Sequence, residues 1–455
     1  MIPTDFSNLK LSAAMLSNLN TLEYKSMTPV QAQSLPEILQ NRDVIVQAKT
    51  GSGKTAAFGI GVLNKLDVKK FKIQTMIICP TRELADQVAK ELRRLARFQH
   101  NVKILMLYGG TPFNRQVNSL RHGAHIVVGT PGRLIQHISE RTINLEAMDT
   151  LVLDEADRML DMGFFDDIKK IISNTPTHRQ TLLFSATYPD EIMTLSKEIQ
   201  KDAISIKTIS QDSANKITEY FYKTSFDEKL QATVNILSHF QPESTIIFCN
   251  TKIKAQELAD DLQRQEIDAL AIHGDLEQFV RTDVLVQFSN HSCPILVATD
   301  VAARGLDVKE LSAVINYDIP HDSDIYTHRI GRTGRAGQEG LAFTLYVKDE
   351  TEENYGSDTR IFEDASVLYE TNPIKILPPN ITLVIEGGKK DKVRPGDILG
   401  ALTAKDGLEG KDIGKIDIYD RQSYVAIARQ EIDKAFKIIR DGKVKGRNFS
   451  VWILK

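Results

Sequence analysis

The chain has 455 residues, with 57 Lys and Arg against 60 Asp and Glu and a formal net charge of −3. An ordinary composition with 42% hydrophobic residues excludes fibrous and wholly disordered classes, and no apolar run approaches the ~18 residues of a membrane span. The length suits two or three domains of roughly 100–200 residues each. The net charge hides an uneven division: residues 381–455 hold 16 Lys and Arg against 11 Asp and Glu, a net of +5, while 1–380 carry −8. A small basic module follows a larger acidic body. The opening Met1-Ile-Pro-Thr-Asp-Phe-Ser-Asn lacks a basic segment leading into an apolar one, so no secretory signal is expected. Cys79, Cys249 and Cys293 are few, odd in number and set in apolar runs, which predicts reduced buried thiols and a cytoplasmic protein.

In chain order, the strand Asp43-Val-Ile-Val leads into Ala48-Lys-Thr-Gly-Ser-Gly-Lys-Thr55, a variant P-loop with Ala48 where the strict pattern has Gly. Lys49, Thr50, Gly51, Ser52 and Gly53 form the turn that brings backbone N–H groups to phosphate. Lys54 reaches the β/γ-phosphates and Thr55 ligates Mg²⁺. Short apolar runs then alternate with helical stripes: Met76-Ile-Ile-Cys-Pro, the stripe Leu84, Val88, Leu92 and Leu95, His125-Ile-Val-Val-Gly, Thr150-Leu-Val-Leu-Asp and Thr181-Leu-Leu-Phe-Ser. Such alternation predicts a parallel sheet covered by helices on both faces, with ligands at the carboxyl ends of its strands. Leu151-Val-Leu-Asp-Glu-Ala-Asp157 ends one strand in acids. Asp154 there suits a Mg²⁺ position, and Glu155 could orient or deprotonate the attacking water.

The scheme restarts after the polar stretch near Gln211. Ser244-Thr-Ile-Ile-Phe-Cys-Asn-Thr echoes Ile77-Ile-Cys-Pro-Thr, and Pro294-Ile-Leu-Val-Ala-Thr-Asp echoes Ile126-Val-Val-Gly-Thr-Pro-Gly. Two related domains joined near 206–216 are expected. The second half has no P-loop but carries His328-Arg-Ile-Gly-Arg-Thr-Gly-Arg335, three arginines among glycines that suit phosphate clamping. The economical reading has this half close over ATP held by the first and donate arginine fingers, a contribution typically on the order of 10³–10⁵ in rate.

These segments together resemble the DEAD-box RNA helicases. Asp154-Glu-Ala-Asp157 is the name-giving motif, and Ala48–Thr55, Pro80-Thr-Arg-Glu-Leu-Ala85, Gly109-Gly110, Thr130-Pro-Gly-Arg133, Ser185-Ala-Thr187, Ala298-Thr-Asp-Val-Ala-Ala-Arg-Gly-Leu-Asp307 and His328–Arg335 stand in family order. Tyr24 with Thr28-Pro-Val-Gln31 looks like the Q motif. The resemblance implies an α/β fold of helicase superfamily 2: two RecA-like parallel-sheet domains over 1–206 and 216–375, with ATP, Mg²⁺ and RNA as ligands. It implies that Tyr24 stacks on adenine, Gln31 bonds the adenine edge, and Asp307 meets the ribose. Arg332 and Arg335 would be the fingers, while Ser185, Thr187, Asp157 and His328 would couple hydrolysis to RNA handling. RNA would be held by Pro80, Thr81, Arg82, Gly110, Thr130 and Arg133, and by His273, Gly274, Gln278, Arg281 and Thr299. These contacts would be to sugar and phosphate, without reading sequence.

Residues 381–455 read β-α-β-β-α-β, which suits an α+β RNA-recognition-motif fold. Of the aromatics usual in its base-stacking octamer, Arg421-Gln-Ser-Tyr-Val-Ala-Ile keeps only Tyr424. Basic residues cluster instead in Gly387–Arg394 and Gly442–Arg447. This tail resembles the DbpA-type RNA-binding domain of bacterial helicases. That resemblance implies a hairpin of 23S ribosomal RNA as target, pre-50S particles as partners and a role in large-subunit assembly. Lys389, Lys390, Lys443, Lys445 and Arg447 are the candidate contacts. A monomer is expected. Rival readings are an ATP-gated RNA clamp that seldom unwinds and a DNA-directed translocase.

Overall fold

The computed structural model describes residues 4–48, 51–208, 217–303, 311–320, 323–334, 339–347, 360–368, 375–404 and 406–454. Two compact units emerge, one built essentially from residues 1–213 and the other from 214–455.

The first unit is organised by seven strands: β1 (Val44–Gln47), β2 (Thr75–Ile78), β3 (Ile104–Leu107), β4 (Ile126–Gly129), β5 (Thr150–Leu153), β6 (Gln180–Ser185) and β7 (Ile204–Lys207). They form one sheet in the order β3-β4-β2-β5-β6-β1-β7, with every pair parallel. The central strands read as unbroken apolar runs because helices cover both faces. Leu151, Val152 and Leu153 of β5, for example, are wholly buried. One face packs on a cluster that includes Leu35, Phe58, Leu92 and Val128, the other on one that includes Met76, Leu134, Met159 and Leu195. Each fully buried side chain of this kind contributes about 1.5–3 kcal/mol.

In the second unit the strands are β8 (Ile217–Lys223), β9 (Thr245–Cys249), β10 (Ala269–Ile272), β11 (Ile295–Thr299), β12 (Ala313–Asn316), β13 (Gly340–Tyr346) and β14 (Ile361–Asp364). Their order, β10-β11-β9-β12-β13-β8-β14, is again all parallel. Counted from each domain's first strand, both sheets run 3-4-2-5-6-1-7, so the echoes between the halves of the sequence reflect one repeated topology. β14 was not anticipated. Its four residues are all exposed, and as an edge strand it carries no apolar alternation to announce it.

A third, antiparallel sheet orders β16 (Ile413–Ile418), β17 (Ser423–Ala428), β15 (Asn380–Ile385) and β18 (Val451–Ile453). The helices Pro395–Leu402 and Ile432–Asp441 cover one face, where Leu383, Ile385, Ile398, Leu402, Val425 and Ala435 form the core. The opposite face packs on the helix Gln278–Ser289: Val384 and Tyr424 cluster with Val286, and the Tyr424 hydroxyl donates to Asp283 at 2.7 Å. Asn290 Nδ2 donates to the Thr382 hydroxyl, which donates in turn to Ser292, both at 2.9 Å. Arg429 reaches Asp268. Tyr424, 3% exposed, is therefore engaged within the chain rather than offered as a stacking platform.

All three cysteines are buried and free. No helix among the described residues is long and apolar enough to cross a membrane.

Candidate ATP and RNA sites

The polar segments follow the strands of the first sheet at their carboxyl ends. Read across the sheet, the turn with Gly109 and Gly110 follows β3, Thr130–Arg133 follows β4, Pro80–Arg82 follows β2, Asp154–Asp157 follows β5, Ser185–Thr187 closes β6, and the P-loop follows β1. Strands about 4.8 Å apart thus line up the candidate RNA segments beside the candidate nucleotide segments.

At the P-loop, Gly51 and Gly53 adopt φ of 83° and 92°, the left-handed region that favours glycine. The helix Lys54–Lys65 starts at Gly53 with no side-chain cap, leaving first-turn N–H groups for an anion. Lys54 is buried and its Nζ donates to the Ala48 carbonyl at 2.7 Å. The loop is tied to its neighbour by Thr28, whose hydroxyl donates to the Ser52 carbonyl at 2.8 Å, and by Gln31, whose Nε2 donates to the Gly53 carbonyl at 3.1 Å. A Cβ on Gly53 would lie 2.5 Å from Gln31 Nε2, so side chain and loop fit only with glycine there. Gln31 Oε1 also accepts from the Thr28 amide at 3.0 Å, closing a capping box on the helix Pro29–Leu39. Tyr24 is half-buried; the edge of Phe6 and the Arg94 guanidinium meet its ring, and its hydroxyl donates to Glu91.

Asp154 is 3% exposed, and burial pushes its carboxyl up to about 7; Lys54 opposes this, and Glu155 and Asp157 add to it. Asp154 lies within electrostatic reach of Lys54, the residue before Thr55, and a carboxylate with a hydroxyl offers the hard oxygen ligands that Mg²⁺ takes. Glu155 takes φ 52° and ψ 54°, a left-handed conformation uncommon outside glycine, and is 8% exposed. Asp157 joins β5 to β6: its Oδ2 accepts from the Thr187 amide at 2.8 Å, the Thr187 hydroxyl at 3.0 Å and the Ala186 amide at 3.1 Å, while its own amide donates to Ser185 Oγ at 3.2 Å. Burial opposes its charge, but the Thr187 bonds, Lys54 and Arg158 outweigh it and hold the pKa below the ordinary value.

On the RNA side, Thr81 caps the helix Arg82–Leu95, its hydroxyl accepting from the Leu84 amide at 3.2 Å. Pro80 is buried just before it. Arg82 crosses Gly109 so closely that a Cβ there would sit 2.8 Å from its Nη2. Gly110 turns with φ 81°. Thr130 is the N-cap residue of the helix Pro131–Ser139, which carries Arg133. Burial and the neighbouring Arg82 lower the Arg133 pKa, so the two cations share one patch.

In the second domain His273 is 8% exposed, with its Nε2 3.1 Å from Gln256 Oε1, so little of the ring faces outward. Gly274 lies in the turn after β10, Gln278 and Arg281 occupy the first turn of the helix Gln278–Ser289, and Thr299 ends β11. The three arginines after His328 do not act alike. Arg329 has a side chain 1% exposed: its Nε and Nη2 each donate to Asp300 at 2.7 Å, Nη1 to the Asp318 carbonyl at 2.7 Å and Nη2 to Asn250 at 2.9 Å. The expectation that all three arginines clamp phosphate is corrected here, because Arg329 is consumed inside its own domain. Arg332 is buried at 8% exposure. Lys49, Thr50, Asp307 and Arg335 lie outside the described residues.

The tail's two basic loops meet, since Lys445 Nζ donates to the Lys392 carbonyl at 2.5 Å. Lys389, Lys390, Lys443, Lys445 and Arg447 are all exposed. Sequence reasoning gave no role to Gln116 and His137, which lie near motifs, or to Asn250 and Asp300, which stand within the segments Ser244–Thr251 and Ala298–Asp307.

Three segments of the chain match known families. Residues 28–195 match the DEAD/DEAH box helicase family, 228–337 the helicase conserved C-terminal domain and 382–453 the DbpA RNA binding domain. The chain is 50% identical to the ATP-dependent RNA helicase DbpA of Escherichia coli over 99% of this chain and 100% of that protein. It is 44% identical to the ATP-dependent RNA helicase CshA of Limosilactobacillus reuteri over 76% of this chain and 69% of that one. Among solved structures, S. cerevisiae Dbp5 bound to RNA and ADP BeF3 superposes with a TM-score of 0.73 at 27% identity, covering 81% of this chain and 97% of that chain.

Proposed function

We propose that this chain, which belongs to the DEAD-box ATP-dependent RNA helicases and is an RNA-dependent ATPase, locally opens RNA duplexes in 23S ribosomal RNA during large-subunit assembly. The observation that carries the reading is the row of motif segments along one edge of the first sheet, ending beside the P-loop. The match of residues 382–453 to the DbpA RNA binding domain supports the ribosomal target.

The residues divide the work. The Gly53–Lys54 turn receives the phosphates, and Thr55 and Asp154 hold Mg²⁺, which when bound neutralises phosphate charge. Glu155 orients the attacking water and takes its proton. Gln31, tied to the Gly53 carbonyl, bonds the adenine edge, and Tyr24 stacks on the base. Arg332 and Arg335 are the fingers, and Asp307 meets the ribose. Asp157, through its bonds to Ser185 and Thr187, couples the end of β5 to the end of β6, with His328 as the counterpart in the second domain. Arg82, Gly110, Thr130 and Arg133 hold the RNA backbone together with Pro80 and Thr81; His273, Gly274, Gln278, Arg281 and Thr299 do so in the second domain. The exposed lysines and Arg447 of the tail grip the targeting hairpin. The protein acts in the cytoplasm on pre-50S particles, as a monomer.

Three measurements test this. Glu155→Gln should bind ATP and RNA while turnover falls by at least about 10²-fold, the low end for a general base; retained turnover removes Glu155 from its role. Replacing Lys389, Lys390, Lys443, Lys445 and Arg447 by Ala should abolish preferential ATPase stimulation by 23S ribosomal RNA over a random RNA. An unchanged preference defeats the targeting reading. ATP turnover without strand separation at a comparable rate would favour the clamp.

A further inference from the structure

We infer that Gln116, held by His137, is a positioning residue for RNA, setting Arg133 and the Gly109-Gly110 turn as one gripping edge. The inference rests on the RNA role proposed above for Gly110 and Arg133.

Gln116 lies on the helix Phe113–Arg121 and is 7% exposed. Every arm of its amide is engaged. Nε2 donates to the Tyr108 carbonyl at 2.9 Å and to the Thr111 hydroxyl at 2.5 Å, which fixes both sides of the glycine turn. Oε1 accepts from Arg133 Nη1 at 3.0 Å and meets His137 Nε2 at 3.0 Å. Arg133 can only donate, so the oxygen must face it and the amide has one orientation. His137 must then carry its proton on Nε2, leaving Nδ1 to accept from the Thr142 hydroxyl at 2.7 Å. Arg133 Nη1 also donates to the Thr111 carbonyl at 3.1 Å, and its guanidinium lies 5.6 Å from the Phe113 ring. Phe113 stacks on His137 at 4.4 Å and 27°. Burial and the Arg133 charge lower the His137 pKa to about 4, so the imidazole does not compete with Arg133 as a second cation.

One buried amide therefore joins the turn after β3 to the helix after β4. Without it, an arginine with several free rotamers and a glycine turn would each have to be ordered when RNA arrives, and affinity would fall.

The test uses the full chain and total ribosomal RNA as activator. Gln116→Met keeps the length and deletes the polar arms. The RNA concentration giving half-maximal ATPase should rise about tenfold, as for loss of a hydrogen bond to a charged group, while the plateau rate changes less than about twofold. Arg133→Ala should raise the same concentration, and the double variant should be no worse than Arg133→Ala alone. Additive losses overturn the inference. So does an unchanged Gln116→Met beside an impaired Arg133→Ala. An unchanged Arg133→Ala instead overturns the RNA reading on which the inference rests. If Gln116→Met loses its thermal unfolding transition, His137→Phe serves in its place. It keeps the stack on Phe113 and removes the hydrogen bonds to Gln116 and Thr142, and it should raise the RNA requirement about threefold; no change overturns the inference.

Discussion

Glu155 is held in a left-handed backbone conformation that costs a residue with a Cβ about 1–3 kcal/mol, and it is buried among acids. Glu155→Gly should therefore raise the unfolding free energy by up to about 1 kcal/mol, seen as a higher denaturant midpoint, while losing turnover; a lower midpoint would refute the strain. Arg329 offers the opposite case. Removing it as Arg329→Leu leaves Asp300 without its bidentate partner, at a cost of about 3–5 kcal/mol. Thermal denaturation should show the second domain melting early, and Asp300→Leu in the same chain should restore part of the loss. His137 gives a pH dependence. Its folded pKa of about 4 lies below the ordinary value of 6.5, because of burial and Arg133, with Glu140 opposing. Between those values the unfolded chain binds the extra proton, so stability is full above about 6.5 and declines as pH falls toward 4. His137→Phe should flatten that decline in melting temperature.

At the scale of elements, much was legible beforehand. The apolar strands with polar ends foretold both parallel sheets, because parallel strands are buried on both faces and leave their chemistry to the loops. Gln31 and Asp157 were legible only through a motif; their partners, the Gly53 carbonyl and Thr187, are contacts of tertiary origin. The residues alone make Arg329 and Arg332 look equivalent and only the family resemblance names Arg332 a finger; the pair with Asp300 shows what Arg329 does instead. β14 was illegible because its two apolar residues, Ile361 and Phe362, stand side by side on an exposed edge and give no strand alternation. Tyr424 was visible as an aromatic on a sheet, but its hydroxyl partner belongs to another domain's helix. Tyr424→Phe should destabilise the docking of the tail sheet by about 1 kcal/mol through the unpaired Asp283. Hydrogen exchange at Val286 and Val384 amides should then quicken, and unaltered exchange would refute the weight of this hydrogen bond.

Across the whole molecule, a net charge of −3 coexists with a tail of +5, so nonspecific attraction for polyanions is concentrated in one module. Substituting the five tail cations by Ala should lower the salt slope of RNA binding by about 0.7–0.9 for each phosphate they neutralise. An unchanged slope would place those cations away from RNA. The repeated strand order has a further consequence, for biosynthesis. In both sheets the first strand made lies between the sixth and the seventh. β1 therefore waits for β6, about 130 residues later, which at 5–20 residues per second is roughly 7–26 s on the ribosome. β8 waits almost as long for β13. Each domain thus emerges with an apolar strand lacking its neighbours, and the nascent chain is most exposed to aggregation just before each sheet closes.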